Sequence, residues 1–337
     1  MSPHDDLATC AARFAGSRCV VTGGLGFIGS NLALTLANAG AQVCVIDALI
    51  PSHGGNRHNL AAATRPIDVL VADIAAAATV APAVRDADYV FNLAGQISHL
   101  DSMEDPLTDF DLNARAHLAF LEVLRAQRSC AVVVYSSTRQ IYGRPRYLPV
   151  DEEHPVQAVD VNGISQYAGE QFHLLYARVY GLRACSLRLT NVFGPRIRLK
   201  ESRQGVFGVF LRRALDDQTI SVFGDGAQIR DFLYVDDVVE ALLRAALTGD
   251  AVGAVFNIGH HQALSLLASA ETIVRIAGTG RVELVPWPSA RAAIDIGDFV
   301  SDFGAARNVL GWQPRTSFAD GVQRTVDFFR MHRDWYR

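Results

Sequence analysis

The stretch "RCVVTGGLGFIGSNLALTLANAGAQVCVIDA" constrains the fold more than any other part of the chain. It runs from an apolar, β-branched segment into glycines, through a helical segment closed by Gly40, and into a second apolar segment ending at Asp47. Gly23, Gly26 and Gly29 therefore lie between a strand and a helix, with Phe27 and Ile28 between the last two. The first glycine permits a tight turn, the second lets the backbone approach a pyrophosphate, and the third lets the helix pack on the strand. Free N–H groups at the helix start then face the phosphates. An acid at the end of the second strand, about 20 residues on, suits a ribose hydroxyl and repels a 2′-phosphate. The pattern predicts a dinucleotide site that takes NAD in preference to NADP. The plainer alternative is a glycine turn that only joins strand to helix, with Asp47 capping a loop.

The first half continues in the same rhythm. "IDVLVADI", "ADYVFNLAG" and "CAVVVYSST" read as further buried strands, and "ARAHLAFLEVLRAQ" as a helix between the last two. Continuous apolar strands separated by helices predict an α/β fold, a doubly wound parallel sheet of the Rossmann kind. Asp73 and Ile74 in "VADI" follow the third strand, where adenine would lie; Asp73 is equally suited to cap a helix. After about residue 190 the pattern is less regular and richer in Pro, Gly and Arg. This predicts an NAD-binding domain over 1–189 and a smaller C-terminal substrate-binding lobe over 190–337, with about 232–258 returning to the first domain.

With 50% hydrophobic residues, 337 residues are ample for one large core or two joined ones. A net charge of −4 and the lack of a basic run speak against nucleic acid. No apolar run approaches the roughly 20 residues of a membrane span, and "MSPHDDLATC" has no signal-peptide core. A cytoplasmic protein without membrane contact is expected. Cys10, Cys19, Cys44, Cys130 and Cys185 are scattered and mostly in apolar runs, so buried thiols are expected. No Cys/His spacing resembles a metal site.

The motifs "TGGLGFIGSN", "NLAGQ", "VYSSTRQIYGRP", "SLRLTNVFGP", "RDFLYVDDV" and "LGWQP" occur in that order. Together they resemble the extended short-chain dehydrogenase/reductase family, in its nucleotide-sugar epimerase/dehydratase branch, over nearly the whole chain. The resemblance implies bound NAD, a nucleoside diphosphate sugar as substrate, and a homodimer built from helices near residues 107 to 127 and 161 to 180. It places Leu93, Ala94 and Gly95 of "NLAG" along the cofactor. It gives Thr138 the reacting sugar hydroxyl and sets Asn191 and Arg230 on the diphosphate, with Arg291 as a looser second clamp. Each has a structural alternative: Thr138 as a strand-end cap, Asn191 as a turn residue, Arg230 as a partner of Asp231 or Asp237, and Arg291 as a solvated side chain.

One stretch departs from the family. In "VDVNGISQYAGEQ", Ser165 and Glu170 fall in register, but Asn162 fills the slot of the catalytic tyrosine and Gln166 that of the lysine. A phenol near pKa 10, lowered by an adjacent lysine, can accept a hydroxyl proton; an amide cannot. Asn162 and Gln166 retain only hydrogen bonding to sugar and ribose. Tyr167 is rotated by about 100° from Gln166 on a helix and faces elsewhere. His99, with a suitable pKa and with Asp101 orienting it or sharing the role, is the expected replacement base. Arg139 and Gln140 stand where the 4,6-dehydratase subgroup carries an Asp–Glu pair, which argues against dehydration. Arg139 would attract a carboxylate or phosphate of the substrate, or else lie exposed. The leading expectation is an epimerase that oxidises a sugar hydroxyl transiently. The alternatives are a catalytically silent binding protein and an NAD-dependent oxidoreductase of a cyclitol-like substrate.

Overall fold

The computed structural model describes residues 5–51, 53–199, 205–288 and 295–336. Six strands alternate with helices in the first half: β1 (Arg18–Thr22), β2 (Gln42–Asp47), β3 (Ile67–Val71), β4 (Tyr89–Asn92), β5 (Val132–Thr138) and β6 (Arg183–Leu189). The second half adds β7 (Asn191–Phe193), β8 (Thr219–Phe223), β9 (Ile229–Tyr234), β10 (Val255–Ile258), β11 (Ala263–Ser265) and β12 (Arg281–Val285). The main sheet has the order β10-β6-β5-β4-β1-β2-β3, and every pairing in it is parallel. Its central strands β1, β4, β5 and β6 are largely buried, which is why they read as continuous apolar runs rather than alternating ones, while the edge strand β3 is partly exposed.

Two cores flank this sheet. One packs Leu32, Leu36, Val238, Leu242 and Trp312 against β1, β2 and β6, and the Trp312 indole donates to Asp237 O at 2.9 Å. The "LGWQP" segment thus closes back onto the helical layer of the main sheet. The other core packs Val80, Phe120, Leu124 and Tyr176 on the opposite face. A third cluster, with Phe193, Phe207, Phe232 and Phe318, holds the smaller sheets β11-β9-β7 and β12-β8 to their helices. The strand order reverses direction between β1 and β4. Ligands of open α/β sheets bind in the crevice at such a switch point, beyond the carboxyl ends of the strands.

The helix that carries the unusual stretch runs Val161–Tyr180, opens on Asp160 and closes on Gly181 with φ of 71°. The helix facing it is Pro106–Phe110, a widened turn Asp111–Arg115, then Ala116–Ala126. Of the cysteines, Cys10, Cys19 and Cys185 are buried, Cys44 is half-buried and Cys130 is exposed; all five are free thiols.

Candidate active site

A cleft of about 350 Å³ crosses the carboxyl ends of the main strands. At one end lie the glycine turn, Phe27, Ile28, Asp47, Asp73 and Ile74; Leu93, Ala94 and Gly95 follow β4 along its middle. The glycines are there for space. Gly23 has φ of +64° and a Cβ on it would lie 2.7 Å from Leu93 O, while a Cβ on Gly29 would lie 2.3 Å from Gly23 O. Both Asp47 oxygens accept backbone N–H groups, from Leu25 at 3.0 Å and Leu49 at 2.9 Å, which holds the carboxylate at the cleft wall. Asp73 lines the cleft and accepts from Ala75 N at 2.8 Å in the turn before the helix Ala77–Arg85, whose N-cap is Ala76, so it does not cap that helix. Ser137 lines the cleft, and its buried Oγ has no hydrogen-bond partner among the described residues. A backbone cradle with no room for side chains, a carboxylate at the end of β2 and an orphaned hydroxyl together fit a dinucleotide.

At the other end the cleft is lined by Thr138, Arg139, Gln140, Asn162, Gln166 and Asn191, among others. Thr138 ends β5, and its Oγ1 accepts from Gln140 N at 3.2 Å. Asn162 and Gln166 are buried and their amides are committed. Asn162 Nδ2 donates to Gln96 O at 2.8 Å and to Asp109 Oδ2 at 3.0 Å. Gln166 Nε2 donates to Gln96 O at 3.3 Å and Asn113 Oδ1 at 3.2 Å, and its Oε1 accepts from the Tyr135 hydroxyl at 2.9 Å. Asp109 is only 1% exposed, and its Oδ2 also accepts from Gln96 Nε2 at 2.9 Å and Asn113 Nδ2 at 3.1 Å. Beside Asn162 and Gln166 this chain has a buried aspartate surrounded by amide donors. Asp109 escapes a motif reading. The available signal is that Asp109 and Asn113 stand four apart and so share a helix face.

His99 lines the cleft with its ring about one-third exposed. Its Nδ1 lies 2.7 Å from Asp160 Oδ2, within hydrogen-bond distance. Gln140 Nε2 closes the cluster, 3.1 Å from the same carboxylate oxygen and 2.7 Å from Nδ1. The carboxylate in contact with His99 is that of Asp160; Asp101 lies in the first turn of the helix His99–Glu104 and is not among the residues lining the cleft. The reason is local. Asp160 caps the helix Val161–Tyr180 by accepting from Gly163 N at 2.7 Å, and this fixes its second oxygen toward the loop after β4. Burial raises the Asp160 pKa, but hydrogen bonding and charge from His99, with the Gly163 and Gln140 bonds, hold it below the usual carboxylate value.

The remaining assignments divide. Arg139 is enclosed rather than exposed: its Nη2 donates to Asn191 Oδ1 at 2.9 Å and its guanidinium lies 4.9 Å from the centre of the Phe299 ring. Asn191 is thus already paired, with Nδ2 on Asp231 O at 3.4 Å. Arg230 is buried but is not among the residues lining the cleft. Its Nη1 donates to the carbonyls of Ile229 and Gly297, its ion pair is with Asp295 at 3.7 Å, and the charges of Asp231 and Asp298 also act on it. Arg291 lies outside the described residues. Tyr167 packs beside Tyr142 and Phe299, away from the cleft. Among the described residues no cluster of His, Cys, Asp and Glu could hold a metal ion, and no helix is long and apolar enough to cross a membrane.

The sequence pattern of the NAD dependent epimerase/dehydratase family matches residues 19–259. The chain belongs to that family. NAD is the cofactor that defines it. A UDP-glucose 4-epimerase of Mycolicibacterium smegmatis is 34% identical over 93% of this chain and 98% of its own. A UDP-glucose 4-epimerase of Thermotoga maritima, solved with UDP-glucose, superposes with a TM-score of 0.85 at 31% identity, over 93% of this chain and 99% of that one. An epimerase of Methanothermobacter thermautotrophicus superposes with a TM-score of 0.91 at 25% identity, over 98% and 97% of the two chains.

Proposed function

We propose that this chain is an NAD-dependent nucleotide-sugar epimerase-type isomerase in which His99, oriented by Asp160, is the acid/base. The observation that carries this is the His99 Nδ1 to Asp160 Oδ2 contact at the cleft wall. With Nδ1–H held by a buried carboxylate, Nε2 is the nitrogen left to accept a proton, and the carboxylate stabilises the imidazolium that forms. Thr138 Oγ hydrogen-bonds the reacting sugar hydroxyl and His99 takes its proton as the carbinol carbon becomes a ketone. The glycine cradle and Asp47 would hold NAD, which would supply the hydride acceptor for the oxidation and the hydride donor for the return. His99 returns the proton to the alkoxide, so the reaction is redox-neutral. Asn162 and Gln166 position the Gln96 carbonyl and Asp109 and carry no proton. Asn191 serves the diphosphate end, and the helices near residues 107 to 127 and 161 to 180 form the face of a homodimer.

The test is turnover of a panel of nucleotide sugars with NAD in heavy water. A new isomer without deuterium is expected, and His99→Gln should slow it by about 10²–10⁴-fold. Turnover of the variant at the wild-type rate removes His99 from the mechanism. A second reading, a binding protein without turnover, is favoured by the commitment of both amides to internal partners. Tight binding of one sugar with no conversion of any would select it.

A further inference from the structure

The helix Phe27–Asn38 opens on Gly26 with no side-chain cap, and its first turn holds no acid. Its unshared N–H groups form a positive end, and Gly26, Phe27 and Ile28 line the cleft there. Arg196 is a second positive group brought to the same place. It is half-buried and lines the cleft. Its Nη1 donates to Asn31 Oδ1 at 2.8 Å, and Asn31 Nδ2 donates in turn to Phe27 O at 2.8 Å and Pro195 O at 3.1 Å. Its Nε donates to Asn59 O at 3.0 Å, and Asn59 Nδ2 donates to Leu25 O, inside the glycine turn, at 2.8 Å. The Phe328 ring centre lies 5.1 Å from the guanidinium. Two buried asparagines thus tie the group to both sides of the turn.

These partners are all neutral. Among the described residues Arg196 forms no ion pair and its Nη2 has no hydrogen-bond partner, yet that nitrogen keeps accessible surface. Three groups act on its charge from a distance. Burial pushes the phenols of Tyr336 and Tyr234 up, so both are uncharged at neutral pH, and Asp236 is 3.8 Å from Arg324. The backbone of Arg196 is left-handed, with φ of 71°, a strained state for a residue with a side chain that only its surroundings hold in place. A cation beside the positive end of a helix is unfavourable, and an anion shared by the two reverses the sign. A guanidinium edge suits phosphate oxygens. We infer that Arg196 is a cofactor-binding residue, and that the anion it shares with the helix start is the diphosphate of NAD. This rests on the cofactor of the family and not on the sugar or the base proposed above.

The experiment is calorimetric titration of the nucleotide-free protein with NAD, ADP, adenosine and UDP. Arg196→Gln should weaken NAD and ADP roughly tenfold or more, because a charged hydrogen bond is lost, and should leave adenosine and UDP unchanged. Arg196→Lys keeps the charge without the fork and should lose part of the affinity for ADP and none for adenosine, which gives a reading if the glutamine variant does not fold. Unchanged NAD and ADP affinity in the variants that fold overturns the inference. An equal loss for adenosine also overturns it, since Arg196 would then only shape the pocket. So does a loss confined to UDP, since the anion would then belong to the sugar nucleotide. If NAD does not bind the wild type at all, the cofactor itself falls, and the role of Arg196 with it.

Discussion

At position 162 a phenol and an amide ask different things of their surroundings. A phenol at the cleft wall needs an acceptor in the substrate, whereas the Asn162 amide donates inward to Gln96 O and to the Asp109 carboxylate. Asn162→Ala should therefore cost about 1–3 kcal/mol in denaturant unfolding, since it strips a donor from a buried carboxylate; wild-type stability would show that Asp109 does not depend on it. The acid side of the other cluster has a sign that can be worked out. Asp160 has a folded pKa below its unfolded value near 3.9. Its stabilisation is present above that unfolded value and is lost as pH falls through the lower folded one. Asp160→Asn should remove that part of the acid destabilisation, and unfolding midpoints followed from pH 6 to pH 2 would reveal it as a flatter profile; an unchanged slope would contradict it. The amides at 162 and 166 were legible by register alone, because Ser165 and Glu170 anchor the frame. The partners were not. Asp160 is 61 positions from His99, and nothing in local spacing says that a helix cap also serves a histidine on another loop.

The helix Val161–Tyr180 is fastened to the sheet by a charge pair. Arg188 on β6 meets Glu170 at 2.7 Å, with the two side chains 6% and 0% exposed, and the Tyr142 hydroxyl accepts from the same guanidinium at 2.6 Å. Removing one member leaves the other charged and buried, so Glu170→Ala should destabilise by about 3–5 kcal/mol. Changing Glu170 and Arg188 together to apolar residues of similar volume should cost less than Glu170→Ala alone. A thermal-melt series over these variants checks both statements, and a harmless Glu170→Ala would refute them. Strands and helices were readable because their periods differ, and the first helix was bounded by its glycines. The widened turn Asp111–Arg115 was not readable. It contains neither Pro nor Gly, and it forms where Asn113 is drawn to the Gln96 amide and carbonyl at 2.9 and 3.0 Å. Tertiary hydrogen bonding, invisible in a local window, shapes the helix there.

Across the molecule, the helices Pro106–Phe110 and Val161–Tyr180 carry exposed apolar side chains. Leu107 is 77% and Ile164 61% exposed, with Phe110, Val179 and Tyr180 also exposed on the same helices. Large apolar groups grouped on one face mark a contact surface. Leu107→Glu with Ile164→Glu should convert a dimer to a monomer in sedimentation velocity; a wild-type monomer, or a dimer that survives the change, would refute that face. The main sheet holds a further consequence. Its edge strand β10 pairs with β6, yet β7, β8 and β9 and the helix Val235–Leu247 intervene in the chain. Synthesis delivers residues in order, at roughly 5–20 per second. A nascent chain that has just completed β6 must therefore wait several seconds for its sheet partner and its covering helix, with Leu187 and Leu189 lacking the side chains that bury them in the finished protein. The part of the protein that is read most easily from its sequence is, on the ribosome, among the last to close.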